Sequence, residues 1–410
     1  MDPEIVFYSI IALLLVDFAV DTLLDYLNAR HFNDPVPEEL HDVYDATEYK
    51  KSQVYKKVNY RFSLVTSVFF LIVTLAFFFL DGFDYADTLA RSVSDNEITV
   101  ALLFFGMIML GSDILATPFA YYGTFVIEEK FGFNKTTLKT FFLDKIKGWL
   151  LTALLGGGML ALIIWLYGLT GKNFWWYAWG LVALFIVFMN MFYSKLIVPL
   201  FNRQQPLEAG SLRAGIEAYA AQTGFRLDKI VVIDGSKRST KANAYFSGFG
   251  AQKRVTLYDT LLNDLEEAEI VAVLAHEVGH YRRRHIIFTI AASVLLSGFT
   301  LFILSLFISL PELSLAIGVQ QQSFHAGLIA FGILYSPVSA VTGLIMNYFS
   351  RKFEYQADAF ARLTFNADAL IAGLKKLSKK SLSNLTPHPA YVFVHYSHPT
   401  LLQRIKKLRA

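Results

Sequence analysis

Cysteine is absent from this 410-residue chain, and charged residues are scarce. Without thiols there is neither a disulfide framework nor a cysteine-ligated metal site, so a bound metal must use His, Asp or Glu side chains. Charged residues make up 17% of the chain and hydrophobic residues 54%, whereas soluble proteins carry about a quarter charged residues. The composition therefore indicates a membrane protein with a soluble part. A net charge of +3 is too small to indicate nucleic acid as a partner.

Seven apolar runs are each long enough to cross a bilayer as a helix. They cover residues 5–27, 62–80, 98–122, 149–169, 176–198, 286–308 and 324–348. The first run lacks the basic flank of a signal peptide, since it follows the acidic start MDPE, and we expect it to be a transmembrane helix. These runs predict an all-α polytopic membrane protein with seven transmembrane helices.

Basic residues are nearly missing from one side of the predicted membrane. Of the 37 Lys and Arg residues, Arg91 and Lys172 alone fall in linkers on that side. Because short basic loops remain in the cytosol, this bias places the N-terminus outside and the C-terminus in the cytosol. The aromatic stretch NFWWYAW (173–179) fits the outer interface of such a topology.

The spans and linkers divide the chain into four segments. They are 1–198 with transmembrane helices one to five, 199–285 on the cytosolic side, 286–348 with helices six and seven, and the cytosolic 349–410. Within the second segment, three predicted strands, 229–234, 243–250 and 254–262, precede a predicted helix over 265–284. The cytosolic part is therefore expected to be a small α+β domain.

The predicted helix carries the stretch HEVGH, with His276, Glu277 and His280. Positions four apart share one helical face, so the two imidazoles can bind one cation while Glu277 reaches a water on it. This is the arrangement of zinc hydrolases. The alternative is a charged helix end at the membrane surface, but a helix that follows strands favours a zinc-peptidase domain.

A third ligand is required, because catalytic zinc normally binds three protein side chains and a water. Arg283 and Ile286 stand where one zinc-peptidase class has Gly and His, which excludes that class. The remaining candidate is Glu354 in the helical stretch after the last span, with Asp358 on the same face to hold a ligand histidine. A solvated acidic patch is the alternative explanation of this pair.

These residues predict peptide hydrolysis with Glu277 as the general base. A further donor for the oxyanion is expected from the C-terminal stretch VHYSHPTLLQRI, which offers His395, His398 and Arg404. The stretch NAYFSGFG (243–250) can present a strand edge to an extended peptide, although an ordinary strand in a small sheet is the commoner explanation.

Several stretches, taken together and in order, resemble the type I CaaX prenyl proteases, which are membrane zinc endopeptidases. The stretches are FVIEEKFGFNKTT (125–137), NAYFSGFG (243–250), AVLAHEVGHYRRRH (272–285), FEYQADAFA (353–361), NLTPHPAYV (384–392) and YSHPTLLQRI (396–405). The resemblance implies that His276, His280 and Glu354 bind one zinc ion and that Glu277 is the base. It implies that Asn243 holds the substrate backbone, and it favours His398 and Arg404 among the candidates of the tail.

The resemblance also implies a barrel of seven helices around a water-filled chamber, with the zinc site at its cytosolic end. Asp17, Asp21 and Asp25 lie on one face of the first span, and such carboxylates are expected to face water inside the bundle and not lipid. The alternative is that Asp17 alone is deep and Asp25 lies at the cytosolic interface. The expected substrate is a peptide or protein at the lipid surface, cut near a prenylated C-terminal cysteine.

The sequence departs from this family at Thr400, where a second proline is frequent, and it carries no endoplasmic-reticulum retrieval tail. We therefore expect a bacterial inner membrane rather than the endoplasmic reticulum. Two alternative functions stay open: an HtpX-like peptidase for quality control of membrane proteins, and a catalytically silent binding or transport protein. The complete set of zinc-site residues argues against the silent protein.

Overall fold

The computed structural model describes residues 2–225, 229–247 and 254–410, and it is mainly helical. The membrane half contains α1 (Pro3–Arg30), α2 (Ala46–Phe79), α3 (Gly82–Val93), α4 (Glu97–Tyr122), α5 (Glu129–Phe131), α6 (Leu138–Leu151), α7 (Gly158–Thr170), α8 (Phe174–Leu196) and α9 (Val198–Phe201). Two π-helical segments, Gly123–Glu128 and Thr152–Gly157, join α4 to α5 and α6 to α7.

The second half contains the sheet, the helices that surround it and the last spans. Its helices are α10 (Ser211–Gln222), α11 (Asp259–Asp264), α12 (Glu267–Arg282), α13 (His285–Phe307), α14 (Pro311–Leu315), α15 (Phe324–Leu334), α16 (Ser336–Thr364), α17 (Ala367–Lys380), α18 (Pro389–His395) and α19 (Leu401–Arg409). Its strands are β1 (Gln204–Pro206), β2 (Lys229–Ile233), β3 (Ala244–Ser247) and β4 (Arg254–Tyr258).

Each predicted span has a helical counterpart in the described residues. Five helical stretches are long and apolar enough to cross a membrane, and α15 with α16 makes a sixth that is bent by 56°. One of the five, Leu138–Phe201, contains two predicted spans, and a turn at Gly171 separates them. Gly171 has φ +54°, a backbone conformation that residues other than glycine rarely adopt. The ring centres of Tyr167 and Phe174 lie 5.4 Å apart across the turn.

The membrane-spanning helices form a thin wall and not a solid bundle. Within their apolar windows only 6% to 17% of the residues are buried. Buried apolar residues gather at the two ends of the helices: one cluster surrounds Phe104 and Phe174, and the other surrounds Leu257 and Ile270 of the sheet and α12. Between these ends Asp17 and Asp21 are exposed. Helices with so few buried residues agree with a barrel around a chamber.

The sheet has the order β1-β2-β4-β3, in which β2 and β4 are parallel and the outer pairs antiparallel. The predicted strand 229–234 is confirmed as β2. The prediction for 254–262 is wrong at its end, because β4 stops at Tyr258 and α11 follows. There Asp259 begins the helix and accepts a hydrogen bond from the Ser236 backbone N–H at 2.9 Å. β1 was not predicted, and part of the stretch 243–250 lies outside the described residues.

The predicted helix over 265–284 is confirmed as α12, which begins with a capping box. The Glu266 backbone N–H donates to the Glu269 carboxylate at 2.8 Å, and the Glu266 side chain caps the first turn in return. Lys376 of α17 pairs with the buried Glu269 at 2.8 Å. Because α12 is covered by α10, α16 and α17, it is a rigid base for the side chains that it carries.

Candidate metal centre

Two helices from opposite flanks of the last spans meet at the candidate site. α12 supplies His276 and His280, and α16 supplies Glu354. His280 Nε2 lies 3.2 Å from Glu354 Oε1, and His276 Nε2 lies 3.5 Å from Glu354 Oε2. One ligand atom from each of the three residues lies within 4.8 Å of the others. The structure therefore brings Glu354 to the two histidines, which precede it by about 75 positions in the chain.

The donor set fits a single cation. The Nε2 atoms of His276 and His280 lie 3.1 Å apart. A neutral imidazole can keep a lone pair on this nitrogen, so both rings can bind the same cation. Glu354 Oε2 is buried and accepts no hydrogen bond from the described residues, and Arg404 Nη1 lies 3.4 Å from it. A cation held between this carboxylate and the two imidazoles would supply the missing partner. Nitrogen and carboxylate ligands of this kind suit zinc in particular.

A buried carboxylate binds the His276 ring at Nδ1, the nitrogen that faces away from Glu354. Its Nδ1 lies 2.8 Å from Asp358 Oδ1, and Asp358 binds Arg404 through both oxygens, at 2.9 and 2.6 Å. Burial alone would lower the pKa of the His276 imidazole, but the neighbouring carboxylates of Asp358 and Glu354 raise that pKa to about 9. The carboxylates thus attract positive charge to this ring, and Nδ1–H donation to Asp358 leaves the Nε2 lone pair directed into the site.

His280 has a support that the sequence analysis missed. Its Nδ1 lies 3.0 Å from Nδ1 of His285, and His285 Nε2 lies 2.8 Å from the side-chain oxygen of Gln356. The Gln356 oxygen can only accept, so His285 carries its proton on Nε2 and accepts at Nδ1. His280 must then donate from Nδ1, which leaves its Nε2 lone pair free. The ring of Phe353 stacks on His285 at 4.2 Å and fixes its plane.

A cavity of about 400 Å³ opens beside these ligands. It is lined by Asn190, Glu277, His280, His285, Ile286, Thr289, Ser350, Phe353, Glu354, Ser397 and His398. The Glu277 carboxylate lies at this cavity, and no hydrogen bond to it is found in the described part of the chain. His398 Nε2 lies 3.4 Å from Glu354 Oε1, while its Nδ1 pairs with Ser397 Oγ at 2.9 Å. Both predicted catalytic side chains therefore border one space.

The other predicted residues lie outside this cavity. His395 is directed to α1, where its Nε2 lies 4.0 Å from Asp21. Arg404, predicted to bind substrate, directs its guanidinium to Asp358 and, at 3.4 Å, to Glu354, and it is not part of the cavity lining. Asn243 is exposed and directly precedes β3, and its side-chain oxygen accepts from the Ala244 N–H at 2.8 Å.

Known proteins match the chain along its whole length. Residues 25–203 match the family described as CAAX prenyl protease N-terminal, five membrane helices, and residues 206–410 match peptidase family M48. The CAAX prenyl protease 1 homolog of Oryza sativa subsp. japonica is 35% identical, over 98% of this chain and 96% of its own. The CAAX prenyl protease 1 of Saccharomyces cerevisiae is 34% identical, over 96% and 93%.

A solved structure agrees with the whole fold. The crystal structure of S. mikatae Ste24p superposes with a TM-score of 0.94 at 32% identity and covers 99% of both chains. Fold and site together define a membrane-embedded metallopeptidase. The chain belongs to peptidase family M48, with the CAAX prenyl protease type of N-terminal region. It is thus a multi-pass metalloendopeptidase that acts on peptides or proteins, and the predicted family, fold class and enzyme class are confirmed.

Proposed function

We propose that His276, His280 and Glu354 bind one zinc ion, which supplies a Lewis acid that polarises the scissile carbonyl and the attacking water. The observation that carries this proposal is the convergence of one ligand atom from each of these three side chains within 4.8 Å. The catalytically silent protein is disfavoured because Glu277 borders the same cavity as His280 and Glu354, so the base needed for catalysis is present beside the proposed ligands.

Glu277 is the general base in this proposal. Its carboxylate borders the cavity and has no hydrogen-bond partner among the described residues, so it can accept a proton from water and pass it to the leaving nitrogen. His398 borders the same cavity from the C-terminal segment, and an exposed imidazole there can donate to the developing oxyanion. Asp358 and Arg404 position His276 from behind, and this geometry supports a positioning role for Arg404 rather than contact with substrate.

For the substrate, we propose a peptide segment near a prenylated C-terminal cysteine. The names of the relatives support this choice, and Asn243 at the exposed start of β3 would hold the substrate backbone. The thin-walled helices support a chamber in which such a lipidated segment meets the site. Quality control of membrane proteins remains the alternative, and the cleavage experiment below separates the two.

The site is proposed to face the cytosol, with the N-terminus outside and the four segments divided at residues 198, 285 and 348. The bias of Lys and Arg supports this topology. The relatives named above are eukaryotic and favour the endoplasmic reticulum over the predicted bacterial inner membrane. Since the chain has no cysteine, single cysteines at the exposed Lys172 and Lys407 can be labelled with an impermeant maleimide in intact vesicles. Labelling of both positions from the same side would contradict the topology.

The decisive experiment compares wild type with Glu277→Gln in detergent or nanodiscs. We expect the variant to keep one zinc per chain and to lose cleavage of a farnesylated CaaX peptide. Loss of the metal would mean that Glu277 is a ligand, and retained cleavage would mean that it is not the base. If wild type cuts an unprenylated, unfolded membrane protein as fast as the farnesylated peptide, the quality-control function replaces the proposed one.

A further inference from the structure

The stretch 125–137 resembles a family motif but contributes no residue to the cavity. Its Glu128 ends the π-helical segment that follows α4. The Glu128 carboxylate accepts from the Tyr55 hydroxyl at 2.5 Å and from Lys241 Nζ at 2.8 Å, and Lys241 Nζ also lies 3.1 Å from the Tyr55 oxygen. We name Tyr55, Glu128 and Lys241 the clamp. It joins α2, the cytosolic end of α4 and the segment that precedes β3.

The clamp is more than a surface ion pair. The side chains of Lys241 and Glu128 are 36% and 26% exposed. The ammonium group also lies 4.4 Å from the ring centre of Phe133 and 5.4 Å from that of Tyr55. A cation between a carboxylate and two aromatic rings is held in one position, whereas an exposed lysine samples many.

Main-chain hydrogen bonds join the stretch 125–137 to the segment that precedes β3. The Lys135 N–H donates to the Arg238 carbonyl at 3.0 Å, and the Thr240 N–H donates to the Phe133 carbonyl at 3.1 Å. Arg238 pairs with Asp144 of α6 at 2.7 Å. The residues that lead into β3 are therefore attached to the membrane half of the protein and not to the sheet alone.

Lys241 lies two positions before Asn243 and three before the start of β3. β3 pairs with β4 on one side, and its other edge has no strand partner among the described residues. β3 also packs against α12, the helix that carries His276 and Glu277. An extended peptide that pairs with this edge is aligned with Glu277 only if the edge itself is positioned accurately. A displacement of about 1 Å strongly reduces catalysis.

We propose that Glu128 is a positioning residue which, through Lys241 and Tyr55, aligns the β3 edge with the metal helix and so determines how the substrate backbone binds. This inference rests on the proposed function, in which substrate lies along β3 at Asn243. Glu128 touches neither the cavity nor the metal ligands. Its loss therefore changes peptide binding and leaves the metal in place.

The test uses the full-length protein with Glu128→Gln, which removes the charge, and Tyr55→Phe, which removes one hydroxyl. The matched control is Glu129→Gln, because Glu129 is exposed and binds only the Asn134 side chain at 2.9 Å. Binding of a farnesylated CaaX peptide is measured in the Glu277→Gln background, where no turnover occurs. KM and kcat are measured with Glu277 intact, and zinc content is measured throughout.

We expect Glu128→Gln to raise the peptide Kd and KM about tenfold, with Tyr55→Phe smaller and the control unchanged. We expect zinc content to stay at wild-type level, and Lys241→Gln to add little to Glu128→Gln because the two residues act as one unit. The inference is overturned if Glu128→Gln binds peptide as the control does, or if both clamp variants lose zinc and binding together.

Asn243→Ala separates this inference from the proposed function. If that variant binds peptide as tightly as wild type, the proposal that substrate lies along β3 is wrong, and the inference about the clamp fails with it. If Asn243→Ala weakens binding while Glu128→Gln does not, the proposed edge stands and the clamp inference alone fails.

Discussion

Gly279 of α12 lies against Ala357 of α16 with no space for a side chain between them. A Cβ at position 279 would lie 3.0 Å from the Ala357 Cα and 3.1 Å from its carbonyl oxygen. These are backbone atoms, which cannot turn away as a flexible side chain can. Gly279 adjoins His280, and Ala357 lies one turn after Glu354. The close approach of the two helices therefore sets the separation of the candidate metal ligands.

Gly279→Ala is expected to push α12 and α16 apart. The added methyl group must displace backbone, so we expect a loss of stability of about 1–3 kcal/mol and a weaker affinity for zinc. The measurements are the thermal midpoint of the metal-free protein and zinc affinity by competition with a chelator. Gly343→Ala in the partner helix α16 is the control, because no described atom lies within 4 Å of a Cβ there. Equal behaviour of the two variants would show that the helices tolerate the wider spacing.

Glu354→Gln is expected to weaken zinc binding by at least about 100-fold, since it removes the one carboxylate among the proposed ligands. Wild type should lose cleavage on dialysis against a chelator and regain it when zinc is returned, while the variant should not recover at the same zinc concentration. Metal content after dialysis is the direct measurement. Glu208→Gln, an equal change at an exposed position, is the control. A variant that retains stoichiometric zinc would remove Glu354 from the site.

The proposed metal ligands could be predicted from sequence because helical spacing is local. His276 and His280 share a face of any helix, and so do Glu354 and Asp358. The supporting contacts could not be predicted in this way. His285 meets Gln356, and Gly279 meets Ala357, only because of how α12 and α16 cross, and that crossing depends on the packing of both helices against the rest of the domain.

The membrane helices were predictable for a different reason, and the sheet was less so. Hydropathy over about 20 residues is sufficient to find a span. β1 has only three residues, Gln204–Pro206, and ends in proline, so neither alternation nor length identifies it. The role of Arg404 illustrates the same limit: its position in a motif indicates the site, but only the geometry distinguishes a contact with Asp358 from a contact with substrate.

His285→Leu is expected to lower zinc affinity by about 10- to 100-fold, because His280 loses the acceptor that keeps its proton on Nδ1. His285→Asn supplies a side-chain oxygen that can accept in place of the ring nitrogen, so a smaller loss is expected. Chelator competition measures both affinities without any cleavage assay. If leucine and asparagine give the same affinity as wild type, the tautomer of His280 is determined by other contacts.

Asp358→Asn tests the buried pair behind His276. Arg404 is 11% exposed and binds both oxygens of Asp358, which is 1% exposed. Removing the Asp358 charge breaks this buried pair and leaves Arg404 with Glu354, 3.4 Å away, as its nearest carboxylate, so we expect a loss of stability of up to about 3–5 kcal/mol. The double variant Asp358→Asn/Arg404→Leu removes both charges, and we expect it to recover much of the lost stability but not the zinc affinity, since His276 still lacks its carboxylate. Thermal unfolding of the metal-free variants gives the first quantity, and chelator competition gives the second. A double variant less stable than Asp358→Asn alone would mean that Arg404 contributes chiefly through its contact with Glu354 or its packing.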